Sequence, residues 1–148
     1  MSPVLALGVR LVIATIASPA TDCIASPYGV EALAPHVYLT PGLRTQWITA
    51  RVPPYEVQDY LFYGSVGFVY DFSLCGSPGP SAVIPVSFDT ILEVFDPSGK
   101  LIGFNDDYCG LKSCIQFEGT SNGWYTVRVK GYGASSGWTW VSYSMFPL

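Results

Sequence analysis

Asn105-Asp106-Asp107 sets an amide and two carboxylates side by side, and Asp89 opens an apolar run shortly upstream. Side chains of this kind suit a hard cation: calcium takes about six to eight oxygens from carboxylates, amides and backbone carbonyls. Asn105 and Asp107 can face one way while Asp106 turns back, and Asp89 begins the strand that would pair at the same end. These four residues are the candidate metal ligands, with calcium as the ion. The same string also suits a solvated turn shaped by side-chain-to-backbone hydrogen bonds. No other pattern in the chain calls for a cofactor.

Catalytic chemistry finds less support. A Ser-His-Asp or Cys-His apparatus needs a base beside its nucleophile. His36 is the sole histidine and sits between Pro35 and Val37, with no nucleophile elbow in the chain. A carboxylate pair for glycosidic chemistry must face across a cleft at roughly 5–10 Å. Asp89 and Glu93 share a strand face but lie about 13 Å apart along it, and Asp106 and Asp107, being adjacent, would point apart in an extended segment. The expectation is a protein without enzymatic activity. Cys23, Cys75, Cys109 and Cys114 are even in number, which makes two disulfides the default and leaves three pairings open. A zinc site is disfavoured, because there is no Cys-x-x-Cys pair and His36 is far from the cysteine cluster in sequence.

Aromatic side chains are the other candidate binding groups. Trp124, Tyr132, Trp138, Trp140 and Tyr143 gather in the last quarter of the chain. Such rings can stack on sugars or pack a protein interface, because they bury a large area and keep a polar handle. Trp124, Tyr132, Trp138 and Trp140 are the candidate binding residues. Trp138 and Trp140 share one face of a strand and Thr139 and Val141 the other, so one of the two faces is core.

The elements that must position these groups are strands. Ile91, Leu92, Val94 and Phe95 form a β-prone run. Asp96-Pro97-Ser98-Gly99 supplies turn chemistry, and Leu101-Ile102-Gly103-Phe104 returns to the acidic loop. Further runs occur at 46–52, 60–63, 68–74, 82–86, 113–118, 124–130 and 139–146, separated by turn residues at sandwich-like intervals. In 124–130, Tyr125, Val127 and Val129 share one face, and Trp124, Thr126, Arg128 and Lys130 the other, with the valine face inward. Residues 21–45 lack a clear period and read as loop. The prediction is an all-β, antiparallel β-sandwich, jelly-roll-like, of about eight to ten strands.

The string from Phe88 to Asp107 resembles the core signature of bacterial pre-peptidase C-terminal (PPC) domains: Asp-Thr, alternating apolar residues, Asp-x-x-Gly, more apolar residues, then Asn-Asp-Asp. Gly123-Trp124-Tyr125-Thr126-Val127-Arg128-Val129 is similar to the family's Gly-x-Tyr-x-Val-x-Val strand. Gly131-Tyr132-Gly133 with Ser135-Ser136-Gly137 is similar to its following turn, and Tyr70 to Ser77 resembles the Cys-Gly-Ser corner of cysteine-containing members. The likeness spans roughly residues 60–146. It departs at Trp138-Thr139-Trp140, where a Tyr-Thr-Leu type strand is expected, and residues 1–55 have no counterpart. The resemblance implies a small secreted sandwich that accompanies enzymes without being one, in some members with bound calcium. It favours Cys75 with Cys109, leaving Cys23 with Cys114; a local Cys109–Cys114 bridge is the rival.

Composition sets outer bounds. At 148 residues the chain can bury a core unaided. Charged residues are 12% of it, against about 25% in typical soluble domains. Mean hydropathy is +0.34, so part of the apolar surface is expected to be covered by a neighbouring subunit or a parent domain, or to belong to a leader that is removed. The net charge of −4 carries no nucleic-acid footprint. Val4 to Ala17 is apolar but split by Arg10, too short to span a membrane; it reads as a signal peptide cut near Ser18-Pro19-Ala20 or as a retained apolar arm. The domain reading is 1–20 leader or arm, 21–55 extension or first strands, and 56–148 sandwich. The functional expectation is a non-catalytic, secreted or cell-surface structural subunit that self-assembles as a homo-oligomer or filament through its PPC-like sandwich and its apolar arm. The alternative is an accessory module for polysaccharide or protein, with calcium.

Overall fold

The computed structural model describes residues 37–77 and 88–148. Nine strands occur among them: β1 (Val37–Tyr38), β2 (Gln46–Val52), β3 (Val57–Gly64), β4 (Phe68–Ser73), β5 (Thr90–Phe95), β6 (Leu101–Asn105), β7 (Cys114–Glu118), β8 (Gly123–Gly131) and β9 (Gly137–Pro147). They form a five-stranded sheet ordered β1-β3-β8-β5-β6 and a four-stranded sheet ordered β2-β9-β4-β7. Every pairing is antiparallel except the short parallel one of β1 with β3. The expected β-sandwich is therefore present. Among the described residues no helix is long and apolar enough to cross a membrane.

Period-two alternation decides which face is buried. Tyr60 and Phe62 of β3, Leu92 and Val94 of β5, and Tyr125, Val127 and Val129 of β8 point inward from the five-stranded sheet. Tyr70 and Phe72 of β4, Ala50 and Val52 of β2, and Val141 of β9 meet them from the other sheet. Burying each large side chain contributes about 1.5–3 kcal/mol. Phe62 sits at the hub of this core, with ring centroids of Tyr70, Phe72 and Tyr125 at 4.8, 5.4 and 5.5 Å. Thr139 and Val141 are buried, so the tryptophan face of β9 is the outer one.

The hairpin between β5 and β6 follows its sequence. Asp96 Oδ1 accepts from Ser98 N, Ser98 Oγ and Lys100 N, and Gly99 takes φ +81°, where a side chain would be strained. The register shifts between Val94 and Phe95. Residues 37 and 38 correct the loop reading of 21–45. Their two-residue parallel pairing, extended by Leu39 N to Leu61 O, is too short to carry a sequence period. The 82–86 strand expectation lies outside the described residues.

Candidate functional site

The acidic loop lies where β5 begins and β6 ends. Asp89 is fixed through its backbone: its N–H donates to Ser135 Oγ at 2.9 Å, and its carbonyl accepts from Tyr132 N at 3.0 Å. Asp89, Asp106 and Asp107 each bring one carboxylate oxygen into a group lying within 4.8 Å of one another. Asp89 Oδ1 and Asp106 Oδ1 are buried and have no hydrogen-bond partner. Burial, and then the charges of Asp107 and Asp89, push the Asp106 carboxyl above its ordinary range. The expectation that Asp106 and Asp107 diverge is corrected: β6 ends at Asn105, so the aspartates follow a bend, not an extended strand. Two orphaned buried oxygens and an all-oxygen donor set fit a hard cation such as calcium.

Asn105 does different work. Its Oδ1 accepts from Cys114 N at 2.9 Å and so ties the end of β6 to the start of β7. Next to it, Ser113 Oγ lies 2.5 Å from Thr90 O and 2.6 Å from Asp106 O, and Leu74 N donates to Ser113 O. Cys75 and Cys109 form a disulfide across this corner, the pairing that the family resemblance implies. The local Cys109–Cys114 bridge is thereby ruled out. Cys114 is half-buried and has no disulfide partner among the described residues; Cys23 lies outside them. Burial, against a hydrogen bond from Ser73, and the nearby Asp71 carboxylate raise the Cys114 thiol pKa.

The aromatic candidates do not form one site. Trp124 lies on the outer face of the five-stranded sheet, 51% exposed. Trp138 and Trp140 lie on the outer face of the other sheet, where Arg51 Cζ stands 5.8 Å from the centroid of Trp138. Tyr132 is on the loop after β8, near Asp89. Closeness in sequence misleads here because β8 and β9 belong to different sheets.

Trp124 has partners that the sequence did not reveal. Tyr38, 67% exposed, and Tyr63, 56% exposed, meet it edge-on at centroid distances of 5.5 and 5.7 Å. The register carries this patch across the sheet. Leu61, Thr126, Phe95 and Leu101 form one outward row, and Asp59, Arg128, Glu93 and Phe104 the next. Arg128 makes a two-pronged pair with Asp59 at 2.8 Å on both arms, and Lys130 pairs with Glu93. The Arg128 guanidinium also lies over Phe95 at 5.2 Å. Its pKa is raised, chiefly by the hydrogen bond to Asp59. The face is a charged band set among large, exposed apolar rings. The pairing of Tyr63 with Trp124 follows from the β3–β8 register, but Tyr38 needs β1, which the sequence did not show.

No protein-family model matches the chain, and no curated protein matches it in sequence. Its fold does have solved counterparts. The Aeromonas hydrophila PliG, a periplasmic lysozyme inhibitor of g-type lysozyme, aligns with a TM-score of 0.56 at 17% identity, over 75% of this chain and 96% of that one. The pre-peptidase C-terminal domain of collagenase from Bacillus anthracis aligns at TM-score 0.51 and 13% identity, over 76% and 95%. The fold is PPC-like. The Salmonella Typhimurium PliG, also named a periplasmic inhibitor of g-type lysozyme, aligns at 0.50 and 13%, over 76% and 99%. The resemblance stated from the sequence thus holds at the level of fold.

Proposed function

We propose that this protein is an exported, non-catalytic binding module that docks a protein partner on the outer face of its five-stranded sheet. The observation that carries the reading is the outward set Tyr38, Tyr63, Trp124, Leu101 and Phe104, all large, apolar and exposed. The outer face of a two-layer sandwich is ordinarily polar, and large apolar side chains exposed together on such a face mark an interaction site. The Asp59–Arg128 and Lys130–Glu93 pairs give such an interface register and orientation. Two of the fold's counterparts are named as inhibitors of a lysozyme, which supports a protein as the partner. The Cys75–Cys109 bridge supports an oxidising, secreted or cell-surface location.

The first probe is a g-type lysozyme, titrated calorimetrically and assayed for cell-wall clearing, with sedimentation of the protein alone in parallel. Binding that Trp124→Ser and Tyr63→Ser weaken, and that Trp138→Ser on the opposite face leaves intact, supports the reading. An oligomer dissolved by the first two substitutions would make the partner a second copy, as in the self-assembly expectation. The arm invoked for filaments, residues 1–20, lies outside the described residues. A monomer that does not bind lysozyme, with the three variants indistinguishable, refutes the reading.

A second reading rests on its own observation. The orphaned oxygens of Asp89 and Asp106, beside the Asp107 carboxylate, support a calcium ion held by these three residues, with Asn105 shaping the loop. When bound, the ion would fix the start of β5 to the end of β6. The four-ligand expectation therefore narrows to Asp89, Asp106 and Asp107 in this proposal.

A further inference from the structure

Tyr55 is the only residue other than glycine with positive φ among those described, at +62°. It follows Pro53-Pro54 in the turn from β2 to β3, where Glu56 N donates to Pro53 O. That left-handed conformation suits glycine or asparagine and strains a bulky side chain. The ring gains nothing from packing in return, since Tyr55 is 83% exposed. Neither backbone preference nor core burial accounts for a tyrosine here, and strain of this kind gathers at ligand sites.

Tyr55 lines a cleft of about 340 Å³ together with Tyr132, Glu56, Val57, Ile91 and Lys130. Small-molecule pockets start at about 300 Å³. Tyr132, 60% exposed, is held on a fixed support: its N–H donates to Asp89 O, and its carbonyl accepts from Ser135 N, each at 3.0 Å. Val57, Lys130 and Ile91 form a single cross-strand row that supplies the floor. Two exposed phenol rings, an aliphatic floor, a carboxylate and an ammonium group therefore converge on one small space.

We propose that this cleft binds a pyranose saccharide, with Tyr55 and Tyr132 stacking on the C–H faces of the sugar. Glu56 accepts from sugar hydroxyls, and Lys130, already paired with Glu93, donates to them. A saccharide fits this mixture better than a wholly apolar ligand, because aromatic faces meet its C–H patches while flanking polar groups satisfy its hydroxyls. The cleft shares Lys130 with the protein-docking face, but none of Tyr38, Tyr63 and Trp124 lines it, so Trp124→Ser separates the two readings.

The test is calorimetric titration of the full chain with cellohexaose and chitohexaose, alongside a proline-rich peptide as competitor. Binding of at least one saccharide is expected, weakened about tenfold or more by Tyr132→Ala and by Tyr55→Gly, and unaffected by Trp124→Ser. Tyr55→Gly should also raise the melting temperature, because it releases the strained backbone. A merely structural tyrosine would instead lower it. Absence of binding to both saccharides at millimolar concentration, equal binding by the tyrosine variants, or capture of the peptide alone overturns the proposal.

Discussion

Removing the Cys75–Cys109 bridge with a paired Cys75→Ser, Cys109→Ser substitution should lower stability by an amount set mainly by the unfolded chain. The cysteines are separated by 34 residues. Closing a loop of that length costs the unfolded state about 13 cal/mol/K, or about 4 kcal/mol at 25 °C. The folded corner should change little, because other bonds already hold it: Leu74 N to Ser113 O, Thr90 N to Leu111 O, and Cys114 N to Asn105 Oδ1. Guanidinium titration followed by tryptophan fluorescence reads the loss. With a slope of about 4 kcal/mol/M for a domain of this size, the midpoint should fall by about 1 M. The double substitution also prevents a freed Cys109 from re-pairing with Cys114. Peptide mapping of the oxidised parent must recover the Cys75–Cys109 cross-link. A loss below about 1 kcal/mol, with that cross-link intact in the parent, would refute the unfolded-state argument.

Two further outcomes follow from the acidic loop and the hairpin. Calcium at about a hundredfold excess over its Kd should stabilise by about 2.7 kcal/mol, a rise of some 5–10 °C in Tm. Differential scanning calorimetry should show the rise in the parent and its loss in Asp107→Asn; equal melting of the two with calcium would count against the site. For the hairpin, the Ser98 hydroxyl leads the hydrogen bonds that hold the Asp96 carboxyl below its ordinary range. A depressed carboxylate contributes stability above its unfolded pKa and loses it as the pH falls through the folded one. Asp96→Ala should therefore be less stable than the parent at neutral pH, with the gap closing in acid; a gap independent of pH in urea melts would remove this ionic contribution.

Much of the frame is legible where alternation is long and both faces have a clear character. The reading of 46–52 coincides with β2, the β-prone run from Ile91 to Phe95 falls within β5, and the inward Tyr125-Val127-Val129 set of β8 is observed. β3 starts earlier than expected, at Val57, because Gln58 and Asp59 are polar yet still paired with β8. Asp59 is buried on the outer side by its pair with Arg128, a burial that no hydropathy pattern reports. The candidate site is legible in part. Asp89, Asp106 and Asp107 converge because hairpin pairing brings the start of β5 to the end of β6, which the turn at 96–99 already implies. The task of Asn105, the company Trp124 keeps, and the conformation of Tyr55 depend on contacts distant in sequence or on a φ value tyrosine does not advertise.

The position of β9 bears on how such a chain is made. It lies between β2 and β4, and β8 likewise lies between β3 and β5, so in both sheets a strand synthesised late joins strands synthesised early. Neither sheet can close until these strands have left the ribosome, and pairings so distant in sequence form slowly, in about milliseconds to seconds. During synthesis the emerging segments hold no complete core to lock them. That delay suits a polypeptide that threads through a membrane channel first and folds on the far side.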